Sequence, residues 1–146
     1  NIELLTERLI AITRWISQRD FGQTIPVGYF GASTGAASAL KAAVHCGAIV
    51  SAVVSRGGRP DLTASSLTHV KTPTLLIVGS LDDAVLALNR QALDRLPCEK
   101  QMTIVEGATH LFEEPGKLEE VARLATDWFL HHLRQPAIMD DITPNH

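Results

Sequence analysis

Residues 27–40 constrain the fold more than any other stretch of the chain. The apolar start predicts a buried β-strand, the middle reads Gly-Ala-Ser-Thr-Gly, and the alanine-rich end predicts a helix. A G-x-S-x-G pattern between strand and helix places Ser33 on a tight, strained turn at the carboxyl edge of a sheet. Small residues such as Gly31 and Gly35 are expected to be required at these two positions, because the strand and the helix approach each other closely there. The N–H of Thr34, at the helix N-terminus, would point to where an oxyanion forms.

The rest of the chain alternates between strand-like and helix-like segments. Apolar, partly β-branched runs predict strands at 25–30, 49–55, 74–79 and 102–107. Helical patterns cover 2–19, 34–44, 85–96 and the region after Pro115, and the first of them has one apolar stripe that includes Leu5 and Ile12. This alternation predicts a three-layer α/β/α domain with a parallel sheet over residues 1–134. The Pro-containing residues 135–146 are expected to form a loosely held tail.

Four candidate functional residues, Ser33, Arg56, Asp82 and His110, directly follow predicted strands. The carboxyl ends of parallel strands meet at one edge of the sheet, where active sites of open sheets lie. A serine hydroxyl needs a base, and His110 is the best placed of the six histidines. An acid would orient the imidazole, and either Asp82 or Asp83 could do so or could instead cap a helix. We favour Asp82, because it leaves Asp83 to begin the helix.

Three motifs, 31–35, 79–85 and 107–112, bring serine, aspartate and histidine in the chain order of α/β-hydrolases. With them the chain resembles that superfamily, and within it the dienelactone hydrolase-like proteins, including those fused to phosphoribosyltransferase domains. The stretches 55–62 and 107–133 are especially similar. The resemblance implies an α/β-hydrolase fold of which this chain supplies only the second half, strands five to eight. It also implies a hydrolase without a metal or an organic cofactor.

The resemblance assigns roles to the candidate residues. Ser33 would be the nucleophile, His110 the general acid and base, Asp82 its orienting acid, and the Thr34 N–H part of the oxyanion hole. Dienelactone hydrolase is known for a cysteine nucleophile, so the serine implies acyl transfer from small carboxylic esters or lactones without a particular ring specificity. Independently of the resemblance, Arg56 and Arg59 flank a Gly-Gly turn at this edge, and they could bind a substrate carboxylate or could pair with Asp61 or a neighbouring acid.

In a complete member of the family, further strands precede the first helix of this chain, and the second oxyanion N–H comes from the loop after strand three. The strand at 25–30 would then be interior, whereas here it is an apolar edge that favours pairing with another chain. We therefore expect a missing N-terminal half or a homo-oligomer to cover it. The alternative function is a non-catalytic interaction or regulatory module that keeps the serine turn for packing.

Composition limits the partners of the chain. With 146 residues, 45% of them hydrophobic, and a formal charge of −3, it is expected to be one soluble globular domain. The sequence has no basic cluster that would bind nucleic acid and no apolar run of ~20 residues that would span a membrane. The isolated Cys46 and Cys98 favour reduced thiols and a cytoplasmic location. No histidine or cysteine cluster has metal-ligand spacing, and His131 and His132 are expected to be satisfied or solvent-facing.

Overall fold

The computed structural model describes residues 1–19 and 25–133. Within them the chain forms four strands and five α-helices. In chain order these are α1 (Ile2–Ser17), β1 (Val27–Ala32), α2 (Thr34–Cys46), β2 (Val50–Arg56), α3 (Ala64–Leu67), β3 (Thr74–Gly79), α4 (Asp83–Arg95), β4 (Lys100–Val105) and α5 (Lys117–His132). Short 3-10 segments at Gly47–Ile49 and Pro60–Thr63 lie on either side of β2. The tail predicted at 135–146 lies outside the described residues.

The four strands form one parallel sheet in the order β1-β2-β3-β4. Strand order therefore equals chain order, and the carboxyl ends of all four strands lie at the same edge. The pairing sets Ala32 of β1 beside Arg56 of β2, and Arg56 beside Ile77 of β3. Because Arg56 ends β2 and Ser33, Asp82 and His110 follow β1, β3 and β4, the topology gathers these residues along one edge.

Helices cover both faces of the sheet, so the predicted three-layer architecture is confirmed. One core cluster packs α2 and α4 against the sheet and includes Leu40 and Val53. The other packs α5 against the opposite face and includes Val54 and Trp128. Val53 and Val54 are neighbours in β2 and point to opposite faces. Both faces are buried, which explains why β2 is nearly continuous in apolar residues.

Helix α1 departs from the predicted single apolar stripe. Its buried residues are Thr6 and Thr13, whereas Leu5 and Ile12 are 43% and 57% exposed. Each buried threonine hydroxyl donates to the carbonyl four residues earlier, which lets a polar side chain face the interior. The Thr13 hydroxyl also lies 2.5 Å from the Tyr29 hydroxyl. The apolar residues of α1 thus occupy two faces, and among residues 1–19 and 25–133 one of these faces is packed while the other is exposed.

The first strand forms an edge of the sheet, as the sequence predicts for this segment. Large apolar side chains are exposed around it, among them Ile25 and Phe30 near the strand and Ile12 and Trp15 on α1, all at least half exposed. Such an edge offers unpaired backbone groups together with apolar surface.

Both cysteines are free thiols, Cys46 buried and Cys98 half-buried. Burial raises the pKa of the Cys98 thiol above its usual value. Over residues 1–19 and 25–133, no helix combines the length and the apolar character needed to cross a bilayer.

Candidate active site

Ser33 lies on a strained turn between β1 and α2, with φ 52° and ψ −121°. A positive φ is uncommon for a residue with a side chain and costs about 1–3 kcal/mol. The surroundings hold it there: its N–H donates to the carbonyl of Arg56, and its own carbonyl accepts from the N–H of Arg59, both at 3.1 Å. The hydroxyl makes no capping bond to α2. The turn therefore presents the hydroxyl at the carboxyl edge of the sheet, as the motif predicts.

The two glycines of the motif differ in their surroundings. A Cβ on Gly31 would lie 2.6 Å from the carbonyl oxygen of Gly35 and 2.7 Å from the Cα of Ala36, so the prediction of a steric requirement is confirmed there. A Cβ on Gly35 would meet nothing within 4 Å, so the same prediction is wrong at that position. The crowding is one-sided, because Gly31 faces the backbone of the first turn of α2 whereas Gly35 opens into free space.

Asp82 and His110 form a hydrogen-bonded pair across two loops. His110 Nδ1 lies 2.7 Å from Asp82 Oδ2, and the two side chains are 39% and 15% exposed. Asp82 occupies the N-cap position of α4, but its side chain makes no capping bond, and Asp83 is exposed on the first turn. A carboxylate can only accept, so Nδ1 carries the proton and the neutral ring keeps Nε2 as an acceptor. Asp82, rather than Asp83, is therefore the carboxylate that orients the imidazole.

The loops that carry this pair are tied to each other through backbone groups. The N–H of Leu81 donates to the carbonyl of Ala108 at 3.0 Å, and the N–H of Gly107 donates to the Ser80 hydroxyl at 2.8 Å. These two bonds hold the Asp82 loop and the His110 loop side by side. Nothing in the sequence pattern marks Ser80 for this role, since only the folded chain brings it next to Gly107.

Glu114 fixes the His110 loop from its other side. Its carboxylate accepts from the backbone N–H of Thr109 at 3.1 Å and also from the Thr109 hydroxyl. These bonds, the hydroxyl bond foremost, hold the pKa of Glu114 below its usual value. Sequence reasoning missed this contact. The available signal was a carboxylate five residues after a threonine in a turn.

Ser33 and His110 both adjoin the end of β2. A Cβ on Gly57, whose φ is +52°, would lie 3.3 Å from His110 Nδ1, and Gly57 directly follows the Arg56 carbonyl that receives the Ser33 N–H. The hydrogen bonds of the described residues join His110 to Asp82 but include none from His110 to the Ser33 hydroxyl. Such bonds are often long in enzymes without substrate and tighten when the reaction complex forms.

The two arginines near this edge have different partners. Arg59 pairs with Asp61 through two bonds, Nε to Oδ1 at 3.0 Å and Nη2 to Oδ2 at 2.9 Å, and this pairing lowers the pKa of the Asp61 carboxyl. Arg56 lies instead with its guanidinium carbon 5.5 Å from the ring centroid of Phe112. In the part of the chain that the structure describes, Arg56 Nε is buried without a hydrogen-bond partner. The ion-pair alternative thus describes Arg59 and leaves Arg56 available to a ligand.

Solved structures with similar folds are hydrolases. No family model matches the chain. Dienelactone hydrolase from Anabaena variabilis superposes on 92% of this chain and 62% of its own, with a TM-score of 0.89 and 54% identity. The monoacylglycerol lipase from Paleococcus ferrophilus superposes on 90% of this chain and 76% of its own, with a TM-score of 0.74 at 16% identity. The chain has an α/β-hydrolase fold. The predicted resemblance to dienelactone hydrolase is confirmed by the first of these structures.

Two curated relatives of this chain have a different name. These Mycobacterium tuberculosis proteins, each called "Putative phosphoribosyl transferase", are 57% identical over 136 residues, which make up 93% of this chain but 31% of each relative. The chain thus spans about a third of the curated relatives and less than two thirds of the dienelactone hydrolase.

Proposed function

We propose that the chain carries the catalytic residues of a serine hydrolase that acts on small carboxylic esters or lactones. The observation that carries the proposal is the 2.7 Å bond between His110 and Asp82, formed beside the strand end that also holds the turn of Ser33. The names of the structural neighbours support hydrolysis. The phosphoribosyl transferase name belongs to proteins of which this chain matches only 31%, so we assign that activity to their remaining residues.

The reaction proceeds in two acyl-transfer steps. His110 Nε2 takes the proton of the Ser33 hydroxyl as the serine oxygen attacks the substrate carbonyl carbon, and Asp82 stabilises the resulting imidazolium. The N–H of Thr34, which lies at the start of α2, donates to the developing oxyanion. The imidazolium then protonates the departing alkoxide, which leaves the acyl group on Ser33. His110 next deprotonates a water that attacks the ester carbon, and the carboxylic acid is released as Ser33 recovers its proton.

Arg56 sets the preference for the acyl group in this proposal. Arg56 ends β2, its carbonyl accepts from the Ser33 N–H, and its guanidinium lies near Phe112 with a buried Nε that has no partner among the described residues. A carboxylate on the substrate would accept from this group bidentately. Arg56→Ala should therefore raise KM for anionic esters and leave KM for neutral esters almost unchanged. An equal rise for both substrates contradicts this role.

The exposed edge at β1 belongs to the same proposal. We infer that an N-terminal half of the fold, or a second copy of the chain, covers the apolar surface of Ile25, Phe30 and Trp15. The covering segment would also supply a second oxyanion donor, whose loss costs about 10²–10³ in rate. Size-exclusion chromatography and sedimentation of the chain test whether this edge needs a covering segment or a second copy. A stable, monodisperse monomer contradicts that inference.

A fluorophosphonate probe, which reacts with activated serines, tests the catalytic proposal. The chain should be labelled, Ser33→Ala should lose the label, and Ser65→Ala, which removes an exposed serine of α3, should keep it. His110→Ala should slow labelling strongly, because the base is gone. A folded chain that is not labelled, or that is labelled equally after Ser33→Ala, refutes the proposal and favours the interaction or regulatory module.

A further inference from the structure

Three potential metal ligands converge at the end of the sheet opposite Ser33. Glu99 directly precedes β4, and His131 and His132 end α5. One ligand atom from each lies within 4.8 Å of the other two. The three residues line a cavity of about 380 Å³ whose wall also includes Trp128. Glu99 lies at the amino end of β4, whereas His110 follows its carboxyl end, so this cluster is separate from the candidate active site.

The spacing within the cluster suits a bound ion better than a direct hydrogen bond. His132 Nδ1 and Glu99 Oε2 are 3.7 Å apart, which exceeds the ~3.2 Å limit of an N–H···O bond. Two ligands of one tetrahedral ion, each about 2.0–2.1 Å from it, are about 3.4 Å apart. The His131 ring stands nearly perpendicular to the His132 ring, with centroids 4.7 Å apart. A small adjustment therefore brings two nitrogens and one carboxylate oxygen around a common centre.

The cluster combines one fixed ligand with two adjustable ones. The His132 side chain is 6% exposed and lies against Trp128, with ring centroids 4.1 Å apart, so packing sets the direction of its ring. Glu99 and His131 are exposed, so their side chains can move by the up to about 1.4 Å that separates the 4.8 Å limit from the spacing of two ligands on one ion. In the described part of the chain the Trp128 Nε1 is buried without a hydrogen-bond partner. That N–H can donate to a water that completes the coordination of the ion.

We propose that Glu99, His131 and His132 bind a divalent transition-metal ion, with Zn²⁺ as the best fit to two imidazoles and a carboxylate. The ion fastens the last turn of α5 to the start of β4, so its binding stabilises the fold. It takes no part in the acyl transfer at Ser33. The sequence gives no motif for this site, because 32 positions separate Glu99 from His131 and only the packing of α5 on the sheet joins them.

Trp128 supplies a direct readout of binding. In a tag-free chain with Trp15→Phe, Trp128 is the remaining tryptophan, and it contacts the ligand His132. Titration with Cu²⁺, which binds such ligands more tightly than Zn²⁺ and quenches indole emission, should give saturable quenching. Zn²⁺ should compete with Cu²⁺ for the site and should raise the Tm of the metal-free chain.

Variants of the exposed ligands decide the proposal without disturbing the core. His131→Ala and Glu99→Gln should each weaken Cu²⁺ and Zn²⁺ binding by at least about tenfold. His69→Ala, which removes an exposed histidine outside the cluster, should bind as the parent does. Quenching that is absent, or unchanged in both ligand variants, overturns the proposal. Variants that shift the Tm without changing metal affinity assign Glu99 and His132 to a simple ion pair and overturn it as well.

Discussion

Gly31→Ala tests the geometry that sets Ser33 on its turn. The new Cβ would lie 2.6, 2.7 and 2.8 Å from three backbone atoms of Gly35 and Ala36, all closer than real Cβ contacts come. Backbone atoms cannot rotate away as a flexible side chain can, so the first turn of α2 must shift. Overpacking of this kind costs about 1–3 kcal/mol, and the rigid neighbours favour a value near 3 kcal/mol. At about 2–4 °C per kcal/mol, the Tm should fall by roughly 6–12 °C.

The second glycine of the motif provides the matched control. Gly35→Ala adds the same methyl group four residues later, on the helix, where it meets nothing within 4 Å. Alanine also restricts the unfolded chain, so this variant should be as stable as the parent or more stable by about 0.4–1 kcal/mol. Urea unfolding of the three proteins, followed by circular dichroism, measures the difference.

Labelling of Ser33 by the fluorophosphonate probe adds a functional measurement to the same pair. At a temperature where Gly31→Ala remains folded, its labelling should still be slower, because the shifted helix carries the Thr34 N–H away from the oxyanion position. Gly35→Ala should label at the parental rate. Equal stability of the two variants, or a larger loss in Gly35→Ala, would show that the strand and the helix do not crowd each other at Gly31.

Three further predictions concern single contacts. Asp82→Asn should lower ester hydrolysis by about 10⁴-fold, because an amide can no longer hold the imidazole in the required tautomer, whereas Asp83→Asn should have little effect; equal losses would contradict the assignment. Glu114→Gln should destabilise the chain at pH 7. The pKa of Glu114 is lowered in the folded state, so its contribution is present above the unfolded value of about 4.3 and is lost as the pH falls through the folded pKa. Unfolding experiments should therefore find the parent and Glu114→Gln converging in acid, and a constant difference would refute the contact. Thr13→Val should cost about 1–3 kcal/mol by removing a partner of the buried Tyr29 hydroxyl. Thr6→Val should cost less in urea unfolding, because among the described residues the Thr6 hydroxyl bonds to the Ile2 carbonyl alone.

The sequence predicts most reliably where one local requirement decides the structure. β3 matches the predicted 74–79 in full, because six buried residues between Pro73 and a turn leave little alternative. β4 begins at Lys100, two residues before the prediction, because an edge strand tolerates polar residues such as Gln101 on its exposed positions. β1 extends to Ala32, beyond the predicted end, because pairing with Arg56 continues into the motif.

In the candidate site, too, the sequence predicts the residues whose place is decided locally and misses those that depend on tertiary contacts. Asp82 and His110 could be proposed from chain order and from their places after strands, and the structure joins them. The supports of this pair could not be proposed, since Ser80 and Glu114 act through backbone groups that come near only after folding. The exposure of Leu5 and Ile12 likewise depends on which face of α1 meets its neighbours, a choice that periodicity leaves open.

The match between strand order and chain order determines which stretch of the polypeptide holds the proposed catalytic side chains. Ser33 follows β1 and His110 follows β4, so the proposed catalytic side chains lie within one continuous stretch of chain that contains the four strands. Deleting the segment at either end of this stretch removes a reacting group, whereas additions beyond the two outer strands leave the reacting groups where they are. Residues that precede β1 can therefore cover its edge and supply the second oxyanion donor without displacing the proposed catalytic side chains of Ser33, Asp82 and His110.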